Sequence, residues 1–434
     1  MTRAETAWAE AMKYANRHDP YPFFDQLRNT PVVRVAENTY VVTGYRELLA
    51  LAHDPRISSD LSRSPIGGQG AEAEAQPGTA DLAGYGHDAS IIVSDPPDHD
   101  RARRQLMRHF GPPHAPDVIP KMEPDIQRLC TELLDNVKAK AENRFDVVDD
   151  YAYPVPVAVI CKILGVPPED EPAFHAWIHD FMAGTDLGPD AATEEGQARA
   201  RKRVDSTAAL TQYMSDLINR YLKEPGEGLL SKLVNDSDGP DGAMAPKEAA
   251  ANGILLLVAG HDSTVNTVSN CVMTFLRNPG TLERLRDKPE LIPRAIEEVQ
   301  RLQSAVQFFP SYSATADIEI AGTVIPQGCA IHLMYSAANR DPARFTDPNR
   351  FDPERPDNEH FGWGSGIHTC MGGPLARLEV NIMLENFLQR VENPRLVVDP
   401  PPYRQSQVFR GPAHLLIEFD RISGSGPSAR PAGS

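Results

Sequence analysis

Helical spacing dominates the alternation of apolar and polar positions along the chain. Residues 23–28 form a short amphipathic helix after Asp19-Pro20-Tyr21-Pro22, and residues 46–53 repeat the pattern. Between them, residues 32–35 and 39–42 alternate at strand spacing and are joined through Glu37-Asn38, which predicts a hairpin. Helical spacing covers most of residues 117–236. Trp177, Phe181 and Met182 lie in its variable middle, open to a core or a substrate-roof reading, while Cys161 reads as core. Pro246 to Arg277 contains no internal proline and predicts one helix of about 50 Å at ~1.5 Å per residue. Residues 318–325 and 329–333 read as strands around Pro326-Gln327-Gly328, and residues 403–419 have strand character. The expected fold class is mainly α with small β-sheets.

Residues 64–86, rich in Gly, Ala, Gln and Glu, show little periodicity and read as a long surface loop. No Gly/Ser-rich linker divides the middle, so residues 1–423 read as a single domain and the Gly/Ser/Pro/Ala-rich stretch 424–434 as a disordered tail. The net charge of −17 argues against nucleic-acid binding, which needs a basic footprint. The longest apolar run, residues 254–259, is far too short to cross a bilayer. The five cysteines, at 130, 161, 271, 329 and 370, have neither disulfide-framework nor zinc-knuckle spacing, and the expected compartment is the reducing cytoplasm.

Cys370 stands apart. It lies between a loop punctuated by Gly362, Gly364 and Gly366 and a helix beginning near Pro374, a residue suited to the first helical turn. Glycines at alternate positions suit a tight loop pressed against a neighbour. A sulfur ahead of a helix N-terminus faces unpaired N–H groups that favour thiolate, the form that binds metals.

The run Trp363-Gly364-Ser365-Gly366-Ile367-His368-Thr369-Cys370-Met371-Gly372 closely resembles the haem-binding loop of the cytochrome P-450 family. The resemblance makes Cys370 the axial ligand of a b-type haem (iron protoporphyrin IX) and puts His368, Trp363, Gly364 and Gly372 around the cofactor. Trp363 replaces the usual Phe, and its indole N–H near the sulfur would act on the redox potential.

Three further segments match the family in order. Asp95-Pro96-Pro97-Asp98-His99 with Arg103 resembles the propionate-binding segment, and His99 and Arg103 share a helix face four residues apart. Ala259-Gly260-His261-Asp262-Ser263-Thr264 resembles the oxygen-activation motif, which assigns proton management to Asp262 and Ser263 with Thr264 beside them. Serine stands where the family has threonine. Gly260, costly inside a helix by roughly 1 kcal/mol, leaves room for a ligand or a local widening. Glu298 and Arg301, with Arg355 of Pro353-Glu354-Arg355, resemble the structural network behind the haem loop. Tyr312 occupies a position where the family usually has a propionate-binding arginine, and a phenol offers one hydrogen bond in its place.

The resemblance implies a triangular, mainly helical fold and a monooxygenase that hydroxylates an apolar small molecule, with secondary metabolism as the setting. Its implied partners are O2 and a ferredoxin fed by ferredoxin reductase, acting on a monomer. Val258, Ala305, Val306, Phe308, Phe309, Val408 and Phe409 would line the substrate pocket, and the 64–86 region would supply a substrate-contacting loop. Arg104, Arg108 and Arg377 read as a docking patch for the electron donor or as ordinary solvated arginines. Radical coupling or desaturation is an alternative motivated by Ser263, and a non-catalytic haem gas sensor is an alternative of another class.

Overall fold

The computed structural model describes residues 1–60, 63, 90–183 and 192–424. The 64–86 loop, the residues beyond 424 and the Met182 side chain lie outside the described residues.

The centre of the molecule is the helix Pro246–Arg277, which forms as its pattern predicts, with Pro at its start and no internal breaker. Nearly every residue from Glu248 to Phe275 is buried, because helices pack on it from several sides. These include Pro154–Leu164, Glu194–Lys223, Ile292–Leu302 and Gly373–Arg390. The helix Glu123–Ala139 packs against Gly373–Arg390 from outside. Cys161 and Phe181 are core, and Trp177 packs half-buried against Phe174 and Tyr213.

At one side stands a five-stranded sheet in the order Val32–Ala36, Thr39–Val42, Ala330–Leu333, Phe309–Ala314, Ile57–Ser58. Its first two strands are the expected antiparallel hairpin, and the second pairs in parallel with Ala330–Leu333, about 290 positions along the chain. Residues 318–325 form a hairpin instead of one strand, Ile318–Ile320 against Thr323–Ile325, because Ala321 and Gly322 both adopt positive φ. Between 403 and 419 only Leu416–Glu418 is a strand; the rest is a loop held by isolated bridges at Tyr403–Pro412 and Val306–Phe409.

Behind the sheet lies a buried ionic knot. Glu298 and Arg301, spaced three apart on one helix, have fully buried side chains joined by two 2.8 Å contacts, and Arg355 reaches Glu298 at 3.2 Å. The remaining arginine N–H groups donate to main-chain carbonyls of Asn339, Thr346, Asp347, Pro348 and Arg350. One carboxylate and two guanidiniums thus hold an irregular stretch that has no ladder of its own.

The glycines of the Cys370 loop press on protein. Gly366 has φ +67°, and a Cβ there would lie 2.0 Å from the Ala52 carbonyl oxygen. The Gly366→Ala variant is therefore expected to lose about 2 kcal/mol or more of stability, measurable by chemical denaturation.

A candidate haem-thiolate site

One cavity joins the motifs. It encloses about 1750 Å³ of unfilled space, its mouth included, between the Cys370 loop and the middle of the long helix. The loop contributes Trp363, Gly364, His368, Cys370 and Gly372, and the helix contributes Ala259, Gly260, Ser263, Thr264 and Thr267. Arg103, Ala305, Val306, Phe309, Tyr312, Val408 and Phe409 complete the expected set on its wall. Cys370 and Ala259 both count as solvent-accessible although each lies far inside the fold, because both open onto this space.

The loop is closed by the Cys370 N–H donating to the Trp363 carbonyl at 2.8 Å, and the helix Gly373–Arg390 starts immediately beyond with Pro374 in its first turn. Burial pushes the Cys370 thiol up, against the backbone N–H groups of Gly372 and Gly373 and the charges of Arg377 and Arg103, which pull it down. The N–H groups at the helix start pull toward thiolate as expected, desolvation opposes them, and a bound cation would supply the balance.

Trp363 also differs from expectation. Its indole N–H donates to Glu297 at 2.8 Å, away from the sulfur. Glu297 also pairs with Arg377 at 2.7 Å and His360 at 3.1 Å, and these partners hold its carboxyl down to about 2 against the cost of burial. Arg377 stacks over the Trp363 ring at 4.3 Å. All three arginines of the proposed docking patch are paired with acids, Arg104 with Asp241, Arg108 with Asp236 and Arg377 with Glu297, so none presents an uncompensated charge.

His99 and Arg103 share a face of the helix Asp98–Phe110 as their spacing requires. Arg103 donates to the carbonyls of Ile367 at 3.2 Å and Thr369 at 2.9 Å, bracing the Cys loop. His99 is 1% exposed; its Nδ1 pairs with Asp100 at 2.9 Å and its Nε2 is buried with no hydrogen-bond partner among the described residues. Its ring meets His368 edge to face at 4.8 Å. Tyr312 is buried and lines the cavity together with Tyr335, so two phenols stand where one was expected.

On the long helix the hydroxyls bond backwards. Ser263 donates to the Ala259 carbonyl at 2.8 Å and Thr264 to the Gly260 carbonyl at 3.2 Å, and the helix stays α throughout, without the widening considered for Gly260. Gly260 also has a packing reason, since a Cβ there would meet Ile160 at 3.3 Å. Asp262 is not brought to the cavity. It is 1% exposed on another face of the helix, joined to Arg404 at 2.6 Å and Asn266 at 3.2 Å.

Two pocket expectations are corrected for the same geometric reason. Val258 is fully buried in the core one helical step from Ala259, and Phe308 turns from the cavity to pack with Trp8 and His332. Leu255, Leu256, Ile91, Ile92, Phe110 and Arg203 line the cavity and went unnoticed in the sequence, because no short motif contains them.

Glu379 was missed as a cavity residue too. It is 1% exposed on the cavity wall, its Oε2 has no hydrogen-bond partner among the described residues, and burial pushes its carboxyl from 4.5 up to about 8. A raised carboxyl favours the proton-bound folded state, so its contribution is present at acidic pH and is lost as pH rises from about 4.5 to about 8. Between pH 5.5 and 8 the wild type is expected to lose stability against Glu379→Gln by on the order of a few kcal/mol, read from melting midpoints at the two pH values.

The residues fit a haem. The cavity runs from the Cys370 loop to the middle of the long helix among mostly apolar side chains, the surroundings that a flat apolar cofactor requires. It offers the Cys370 sulfur on one wall, and against the wall's His368 packs His99, which does not itself line the cavity but whose buried Nε2 has no hydrogen-bond partner among the described residues.

Comparison with known proteins agrees. Residues 59–419 match the family description Cytochrome P450. The chain is 33% identical to cytochrome P450 107B1 of Saccharopolyspora erythraea, over 96% of this chain and 99% of that one. It is 33% identical to the cytochrome P450 monooxygenase PikC of Streptomyces venezuelae, over 93% of this chain and 92% of that one. The crystal structure of ligand-free CYP164A2 from Mycobacterium smegmatis superposes with a TM-score of 0.83 at 32% identity, covering 95% of this chain and 100% of the other. With its cysteine loop, its long helix and its length matched throughout, the chain belongs to the cytochrome P450 family of haem monooxygenases.

Proposed function

We propose that the protein hydroxylates an apolar small molecule of secondary metabolism with O2, using electrons from a ferredoxin fed by its reductase. The cofactor is haem b, held by Cys370. The observation that carries this reading is the shared cavity, with the Cys370 sulfur and the Ala259–Thr264 turn of the long helix on its wall among mostly apolar side chains. Bound through a cysteine thiolate, haem iron activates molecular oxygen, the sulfur supplying the electron density that favours O–O cleavage.

The chain's own residues then do the rest. His99 Nε2, Tyr312 and Tyr335 would receive the cofactor's carboxylates, while Arg103 keeps the Cys loop in place through its two carbonyl contacts. Val306, Phe309, Val408 and Phe409 exclude water and orient the apolar substrate. Ser263 and Thr264 hold hydroxyls on the cavity wall, and Glu379 holds a carboxyl proton at neutral pH. Asp262 acts from behind the helix, through the position of the turn that carries Ser263.

Desaturation or radical coupling is a second reading, favoured by one observation: the Ser263 hydroxyl is committed to the Ala259 carbonyl and Asp262 to Arg404, which weakens proton delivery from that turn. Turnover under labelled O2 separates the two. Label in the product supports hydroxylation, and a product lacking it supports the second reading. A colourless protein after expression with ample porphyrin would remove both.

A further inference from the structure

We infer that the protein binds a phosphate group in a separate cavity, which shares no lining residue with the haem cavity, and that Arg340 and Arg410 hold it. This cavity has about 980 Å³ of unfilled space, its open mouth included. It lies where the ends of the helices Pro246–Arg277 and Ile292–Leu302 meet Tyr21, Arg340 and Arg410. Arg277, Asp19 and Asp399 also stand on its wall.

Two buried guanidiniums share one ring there. The guanidinium carbon of Arg340 lies 3.3 Å from the centre of the Tyr21 ring, and that of Arg410 lies 5.2 Å from the same centre. Every acceptor they meet among the described residues is uncharged. Arg340 donates from Nε and Nη2 to the Leu302 carbonyl and from Nη1 to Asn349 Oδ1 at 3.2 Å. Arg410 donates to the carbonyls of Arg17 at 3.0 Å and His18 at 2.6 Å, and to the Gln303 side chain. Each terminal nitrogen carries a second N–H, for which the described residues supply no acceptor.

A charge withdrawn from water needs a counter-charge. Burial holds the Arg340 guanidinium down to about 10, and Arg410 and Arg301 push the same way against Tyr21 and Asp19. Asp399 is committed to Arg277, and exposed Asp19 makes no ion pair with either buried arginine. The Leu302 carbonyl, at a helix C-terminus, offsets roughly half a charge. A local surplus of positive charge therefore remains, in a chain whose net charge is −17. An oxyanion with several oxygens matches the N–H groups of two neighbouring guanidiniums, where a halide offers one centre. The open mouth admits a body attached to the phosphate, so free phosphate and the phosphate end of a small ester belong to the same class.

Calorimetric titration of the haem-loaded full chain tests this, in phosphate-free buffer at neutral pH. The probes are inorganic phosphate and glycerol phosphate, against sodium chloride at the same ionic strength. At least one phosphate probe is expected to bind saturably, one per chain, with a Kd of about 1 mM or tighter, and chloride is not. Tighter binding of the ester assigns the site to a phosphate ester, and equal or weaker binding assigns it to the free ion. Asn349→Asp and Gln303→Glu each place a carboxylate where a neutral side chain now meets Arg340 or Arg410. The double variant supplies the counter-charge from within and should bind phosphate at least about ten-fold more weakly. Wild-type protein that binds neither phosphate probe better than chloride overturns the assignment, and so does a double variant that binds phosphate as tightly as wild type. The wild-type comparison decides alone should the double variant fail to fold.

Discussion

Replacing Cys370 by serine removes turnover and the red-shifted absorption band of sulfur ligation in the reduced carbonyl adduct, while the protein stays folded. Loss of a residue that only orients a metal ligand costs ~10–100-fold, and loss of the ligand itself exceeds that. Folding should survive because the Cys370 side chain faces the cavity and the loop is closed by main-chain contacts, the Cys370 N–H on the Trp363 carbonyl and Arg103 on the two neighbouring carbonyls. Absorption spectra and product assays on purified variant, with circular dichroism as the fold control, check it. A serine variant that keeps the sulfur band would place the ligand elsewhere.

The second large effect is structural. Glu298→Gln is expected to cost about 3–5 kcal/mol, the usual penalty for removing one member of a buried ionic set. Its carboxylate is the anion shared by Arg301 and Arg355, and its Oε1 also accepts from the Asp352 N–H at 3.0 Å. Neutralising it leaves two guanidiniums facing each other in a place water does not reach. The carbonyls of Asn339, Pro348 and Arg350 that Arg301 holds should loosen with it, exposing the 339–355 stretch to proteolysis. Denaturation midpoints and limited digestion measure this. Arg301→Lys, which keeps the charge and loses the fork, should fall between the two.

What the sequence makes legible and what it hides follow from the same geometry. The long helix is readable to its ends because Pro246 opens it and no breaker interrupts it. Glu298 and Arg301 are readable as a pair because three positions along a helix bring side chains together, and the Cys370 loop because its glycines and sulfur form one compact run. Direction is harder. Val258 and Asp262 sit within one turn of the cavity-lining Ala259 and Ser263, but successive helical residues point about 100° apart, and partners such as Arg404 come from far along the chain. Phe308 and Phe309 are neighbours on opposite faces of one backbone. The Trp363 N–H finds Glu297, 66 positions away, and Arg104 and Arg108 find Asp241 and Asp236, so a run that reads as basic is locally neutral. Leu255, Leu256 and Phe110 belong to no motif, and only the packing of helices around the cavity brings them to its wall.

Gly366 resting on the Ala52 carbonyl carries a consequence for biosynthesis. The loop that carries the cysteine rests on a residue made more than 300 positions earlier in the chain. On a ribosome, where chains emerge at ~5–20 residues per second, the opening segments wait for their late partner, and such distant pairings are slow to close. Porphyrin capture therefore waits until the Cys370 loop has been made and has found its early partner, and a cell short of porphyrin would accumulate apoprotein awaiting its cofactor.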